Sequence, residues 1–165
     1  MRYADDFVVL AQTEAEVAKA HDLVQQHLDR LGLALSAEKT TKTKFREGFA
    51  FLGFVLKART VTMRPKSVEK FKDQIRELTP RHPNLDQEVV TKVNAVVRGT
   101  ANYFATSFSQ CWTTFHRLNG WLRMRLRSMK FKRKWRSDNW RLQRKHFRRL
   151  GFVFLGAALA PLRWG

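Results

Sequence analysis

Hydrophobic and polar positions change period along the chain, and each change marks an element. Tyr3-Ala4 and Phe7-Val8-Val9-Leu10 are apolar runs on either side of Asp5-Asp6, the pattern of two short strands joined by a tight turn. Thr13 and Glu16 have capping-box spacing, in which each side chain satisfies the other's free main-chain N–H. Val17, Val24, Leu28 and Leu31 then recur at helical spacing with His21 on the same side, and Gly32 reads as the helix stop. Leu33-Ala34-Leu35 predicts a short strand, and Ser36-Ala37-Glu38-Lys39-Thr40 a polar loop. Phe49 to Leu56 is apolar and predicts one buried strand, with Thr60-Val61-Thr62-Met63 returning as its hairpin mate. Strand-turn-strand, helix, strand, strand is the order of an α+β layer.

From Val68 the pattern is helical. Val68, Phe71, Ile75 and Leu78 predict a helix ending near Leu78, and Pro80 and Pro83 mark a linker. The domain boundary is therefore expected between Thr79 and Pro83, with a mixed domain over 1–79 and a helical one over 80–165. Asp86 to Thr106 predicts a second helix with Val89, Val93, Val96, Val97, Thr100 and Phe104 inward. Gly99 and the β-branched residues lower its intrinsic propensity, so packing must hold it. A third helix carries Phe115, Leu118, Leu122, Leu126 and Met129 on one face; beyond it Trp135, Trp140 and Phe147 are interleaved with Arg and Lys.

Charge changes the picture more than composition does. Hydrophobic residues make up 44% of the 165, enough for a core. The chain holds 32 Lys and Arg against 14 Asp and Glu, a formal net charge of +18. Residues 1–60 are nearly balanced, with 9 basic and 8 acidic residues, whereas 61–165 hold 23 basic and 6 acidic, a net of +17. Between Arg117 and Arg149 there are 14 basic residues and one acid, Asp138. Such a field repels itself and is accounted for by a polyanion whose counterions it releases. The single cysteine, Cys111, excludes an internal disulfide and a Cys-rich zinc site, and reads as a small buried hydrophobe. No apolar run reaches the ~20 residues of a spanning helix, and Gly151 to Leu162 is too short. Acids at Asp5 and Asp6 do not fit a signal peptide, so a cytoplasmic location without a membrane partner is expected. Arg2 to Leu10 reads as a hairpin from the middle of a sheet, as if neighbouring strands came from elsewhere.

Five features could carry chemistry, each beside a plainer reading. Adjacent carboxylates at Asp5-Asp6 repel one another and suit a divalent metal with hard oxygen ligands, or form an ordinary acidic turn. Lys39 could reach a phosphate, or sit in a solvated loop beside Glu38. Gly53 within Phe51-Leu52-Gly53-Phe54 allows close approach of another backbone, or marks a bulge or an interior packing point. Arg98 and Asn102 share a helix face four residues apart, and Tyr103 either stacks on a base or fills a core. Arg123, Arg125, Arg127, Lys130, Lys132, Arg133, Lys134 and Arg136 lie among Trp121, Phe131, Trp135 and Trp140; this tract either holds phosphates and stacks bases or is a solvated basic helix with its aromatics inside. The five histidines are scattered without a metal-ligand spacing, and there is no phosphate-binding glycine loop.

Taken in order, Tyr3-Ala4-Asp5-Asp6, Gly32 through Thr40, Phe51-Leu52-Gly53-Phe54 and Arg98 through Phe104 resemble the reverse transcriptase/maturase proteins of group II introns, over nearly the whole chain. The resemblance implies the end of a reverse-transcriptase palm followed by a helical thumb, or maturase-specific, domain. It implies that Asp5 and Asp6 ligate catalytic Mg2+ in the complete enzyme, that Lys39 approaches nucleotide or primer phosphates, and that Tyr3 lies near the primer terminus. Phe51, Leu52, Gly53 and Phe54 would form the strand that grips the primer. Arg98, Asn102 and Tyr103 would hold intron RNA and the template–primer duplex. In the family, the whole enzyme copies RNA into DNA and helps its intron RNA fold and splice.

Fingers and the first part of the palm, which carry a further catalytic aspartate, have no counterpart here, so the chain is expected to be inactive as a polymerase by itself. The expected partners are structured RNA (group II intron RNA in the first place), an RNA–DNA template–primer duplex, and a separate fingers/palm polypeptide. Two other expectations stand beside this one: a stand-alone RNA-binding splicing module without catalysis, and a decayed fragment.

Overall fold

Local signals build the first helix as expected. In a computed structural model, which describes residues 2–3, 6–81 and 84–156, α1 spans Glu14–Arg30. The Thr13 hydroxyl accepts from the Glu16 N–H at 3.2 Å, and the Glu16 carboxylate accepts from the N–H groups of Gln12 and Thr13 at 2.8 and 3.1 Å. Those main-chain donors hold the Glu16 carboxyl below its usual range. At the other end Gly32, at φ +67°, donates to the Asp29 carbonyl while the Leu33 N–H donates to that of Leu28. A left-handed glycine of this kind closes a helix without a Cβ clash.

Two compact units follow from the packing, Met1–Lys44 and Phe45–Gly165. In the first, β1 (Arg2–Tyr3) and β2 (Asp6–Phe7) pair antiparallel, with Tyr3 opposite Asp6. Asp6 therefore opens the second strand, and Asp5 of the expected turn lies outside the described residues. Helix α1 buries no residue fully; Val17, His21, Val24 and Leu28 are half-buried, and Leu31, expected on the same stripe, is 71% exposed at the helix end. The strand expected at Leu33 to Leu35 does not form, because no neighbouring strand among the described residues supplies its hydrogen bonds.

In the second unit β3 (Phe49–Phe51), β4 (Phe54–Lys57) and β5 (Thr60–Met63) form an antiparallel sheet in that order. Phe49 to Leu56, expected as one strand, is two strands with a two-residue turn at Leu52-Gly53. Both turn residues have positive φ, 48° and 79°, the handedness that matches the twist of a tight hairpin. Four further elements, α2 (Pro65–Leu78), α3 (Gln87–Phe104), α4 (Trp112–Phe131) and the short α5 (Asp138–Arg141), lead to α6 (Arg144–Arg149). Thus, among the described residues, mixed strand and helix give way to helices alone after Met63. Pro65 starts α2 where its missing N–H costs nothing, and Asp86 caps α3 through the Val89 N–H.

One core joins the sheet to the helices, with Phe54 and Met63 beside Phe71, Ile75, Val97, Phe104, Leu122 and Phe147. The apolar face read for α4 is buried at every position named. On α3 the buried face is turned slightly, taking in Val90, Asn94 and Ala101 and leaving Val89, Val96 and Thr100 half-exposed. Thr79, where a boundary was expected, is fully buried inside the second unit, its hydroxyl donating to the Ile75 carbonyl at 2.6 Å.

The polar member of the α3 face ties down the end of the described chain. Asn94 donates to the Gly151 carbonyl and accepts from the Val153 N–H, both at 2.8 Å, and Asn119 accepts from the Leu155 N–H at 3.0 Å. Asn94→Ala leaves those main-chain groups without their partner and is expected to lower stability by about 1–3 kcal/mol. Asn102→Ala, on the exposed side of the same helix, is expected to change it by less than ~0.5 kcal/mol. Urea unfolding of the two variants checks the contrast.

Candidate nucleic-acid interface

Burying Phe115, Leu118, Leu122, Leu126 and Met129 decides where the α4 arginines go. At 100° per residue, Arg125 and Arg123 fall on either side of the buried stripe and Arg127 well away from it, yet all three are half-buried because neighbouring segments cover them. Arg125 donates through Nη2 to the Thr79 carbonyl at 2.6 Å and through Nε to the Thr79 hydroxyl at 3.3 Å. Arg127 donates from Nε to the Leu142 carbonyl at 2.9 Å, with its guanidinium 5.4 Å over the Phe147 ring. Arg123 lies 5.6 Å over Phe154. Burial pushes all three below the usual guanidinium range; Arg144 and Arg127 add to this at Arg123, and Arg81 and Arg76 at Arg125. A guanidinium remains charged through such shifts. These arginines therefore serve packing as well as charge.

Lys132 ends α4 in the left-handed region at φ 57°. Arg133 then turns inward, meeting Asp138 with Nη2–Oδ1 at 3.2 Å and Nε–Oδ2 at 3.4 Å, while its guanidinium covers Trp135 at 4.2 Å. Asp138 is 1% exposed, and Arg141 stands 3.9 Å from it. The one acid between Arg117 and Arg149 is thus inside. Lys130, Lys132, Lys134 and Arg136 are exposed, as are Arg141, Arg144, Lys145, Arg148 and Arg149. Of the tract's aromatics, Trp121 and Phe131 are half-buried under Arg76 and Arg141, whereas Trp135 and Trp140 stand exposed.

The residues expected to grip a primer form the β3–β4 turn. Phe54 is in the core, and Phe51, Leu52 and Gly53 are half-buried. A Cβ on Gly53 would come within 3.1 Å of the Ser67 hydroxyl and 3.3 Å of Phe104, so glycine permits a close approach within the protein. Tyr103 packs on the core side of its helix: its ring stacks on Phe54 at 5.9 Å and its hydroxyl donates to the Leu52 carbonyl at 2.9 Å, while half its surface stays open. Arg98 and Asn102 are exposed on the same helix.

The catalytic expectation has less geometry behind it. Asp6 is exposed, Lys39 is exposed in a turn, and both Asp5 and the Tyr3 side chain lie outside the described residues. Among the described residues no group of three or more His, Cys, Asp or Glu side chains could hold a metal ion, so they do not form a Mg2+ cage by themselves. Cys111 is buried, and burial pushes its thiol above the ordinary range, away from the reactive thiolate. No helix among the described residues is long and apolar enough to cross a membrane.

Two family models match the chain. That of the reverse transcriptase (RNA-dependent DNA polymerase) matches residues 1–56, and that of the group II intron, maturase-specific domain matches residues 68–151. The second covers half the chain, from α2 to the glycine held by Asn94. No individual curated protein matches.

Arg125→Met removes the donors on Thr79 and is expected to cost about 1–3 kcal/mol. Lys134→Met, an equal loss of charge at an exposed site, is expected to cost under ~0.5 kcal/mol, as urea unfolding would show.

Proposed function

The chain belongs to the group II intron maturase-specific family, and from that premise we infer that its second unit binds structured RNA as part of a reverse transcriptase/maturase. One observation carries this reading: between Arg117 and Arg149 the only carboxylate is buried on Arg133, so the outside of that region presents cations alone. Lys130, Lys134 and Arg136, with the exposed arginines of α5 and α6, contact phosphates; Arg98 and Asn102 offer a second polar face on α3. Group II intron RNA is the first partner this implies, and a template–primer duplex the second. The aromatic and main-chain contacts of Phe51 to Phe54 favour a supporting role for that turn.

The match of residues 1–56 to the reverse-transcriptase model favours a second role, contribution to a polymerase centre. In it Asp5 and Asp6 ligate Mg2+, Lys39 meets phosphate, Tyr3 lies beside the primer, and a separate fingers/palm polypeptide is a partner. Bridging two metal ions needs several carboxylates, and the described residues offer Asp6 alone there. RNA binding without polymerisation is accordingly the activity proposed for these 165 residues by themselves.

Changing Lys130, Lys134 and Arg136 together to Gln is expected to weaken binding to a structured RNA roughly tenfold near physiological salt and to flatten the log–log salt dependence by about 2–3. Unchanged affinity and slope would remove the basic surface from the interface. In primer extension, the purified chain is expected to add no nucleotides; synthesis that disappears with Asp5→Ala would instead establish the polymerase role.

A further inference from the structure

Helices α4, α5 and α6 enclose an open groove of about 350 Å³, lined by Gly120, Arg123, Arg127, Asn139, Trp140 and Arg144 together with Gln143. Its size falls within the range of small-molecule sites. Its chemistry is unusual for a protein surface: three guanidinium groups beside a large bare ring. Among the described residues, no carboxylate pairs with Arg123 or Arg144. Burial first, and then the nearby Arg144 and Arg127, disfavour the charge on Arg123, while Asp138 supports that on Arg127 alone. An anion would relieve the repulsion at Arg123.

Trp140 supplies the other half. It is 80% exposed, and no ring or cation among the described residues covers it. Trp121 and Trp135, by contrast, each lie under an arginine. Its place at the groove edge is set from behind, since α5 begins at the buried Asp138 held by Arg133. Asn139, exposed beside it, adds a carboxamide that can donate to or accept from a base edge. The floor is Gly120; only the Arg123 guanidinium comes within 4 Å of where a Cβ would stand, so any longer side chain there would project into open groove.

Phosphate-binding cations beside an uncovered indole match a nucleotide whose base is free to stack. Bases inside a continuous helix do not offer their faces, whereas unpaired ones do. We propose that this groove receives one unpaired nucleotide of the bound RNA, its base stacked on Trp140 and its phosphate held by Arg123 and Arg144. The proposal rests on the RNA-binding reading above and adds a structural selectivity to it: recognition of a bulge or loop rather than of charge alone.

Two blunt-ended RNA duplexes of about 20 base pairs test it, one continuous and one identical except for a single bulged uridine, each titrated with the full chain. The bulged duplex is expected to bind roughly tenfold more tightly, about the factor that stacking one base supplies. Trp140→Ala and Gly120→Leu are each expected to abolish that preference while leaving affinity for the continuous duplex within about twofold, since neither removes a charge. Trp140→Phe keeps a stacking face and should retain most of the preference. Retained affinity for the continuous duplex and an unchanged urea midpoint separate loss of the groove from loss of folding in each variant. Equal binding of both duplexes by the unaltered chain, or a preference that survives Trp140→Ala, overturns the proposal and leaves RNA binding standing. Binding of neither duplex overturns the RNA-binding reading itself.

Discussion

A single carboxylate surrounded by cations organises the outer half of the second unit. Asp138 takes Arg133 in a two-point contact and has Arg141 nearby, so the chain after α4 folds back around it. A buried carboxylate is tolerable only with such partners, and removing one partner is costly. In a tract of 14 basic residues this pair also has an electrostatic consequence. It withdraws the tract's only negative group from the surface, where Lys130, Lys134, Arg136, Arg144, Lys145, Arg148 and Arg149 are exposed. The same inward pull sets where α5 starts, and hence where Trp140 stands.

Packing imposes a second allocation. Long arginine stems can cover apolar surface while their guanidinium groups reach polar atoms. Arg123, Arg125 and Arg127 do this around α4, closing over Phe154, Thr79 and Phe147. Charge and core are therefore not separate layers in this unit. The basic groove is built from side chains that also hold α4 to its neighbours.

What the amino-acid order made legible was mostly local. Thr13 and Glu16, Gly32, and the α4 stripe act within one or two helical turns, and each appears as read. Strand assignments fared less well because strands depend on partners. Leu33 to Leu35 has none among the described residues, and Leu52-Gly53 lacks the Asn-Gly or Asp-Gly signature by which a two-residue turn is recognised. An uninterrupted apolar run around it reads as one strand for the same reason. On the functional side, the charge asymmetry was plain, but its division between packing and solvent was not. Arg133 and Asp138 were visible as residues, not as a pair. Asn94 and Asn119 carried no signal, since their partners lie 57, 59 and 36 positions away.

Those asparagine contacts also constrain the order of events during synthesis. Helix α3 leaves the ribosome well before Gly151, Val153 and Leu155, so for that interval Asn94 sits on an apolar helix face without its partners. Contacts so distant in sequence close late, after loop-closure entropy has been met. The second unit thus completes its core only when nearly all of its cationic tract has been made, and the nascent segment passes through a state in which apolar surface and high positive charge are exposed together. A polyanion already present at that stage would meet the tract before it meets its own core.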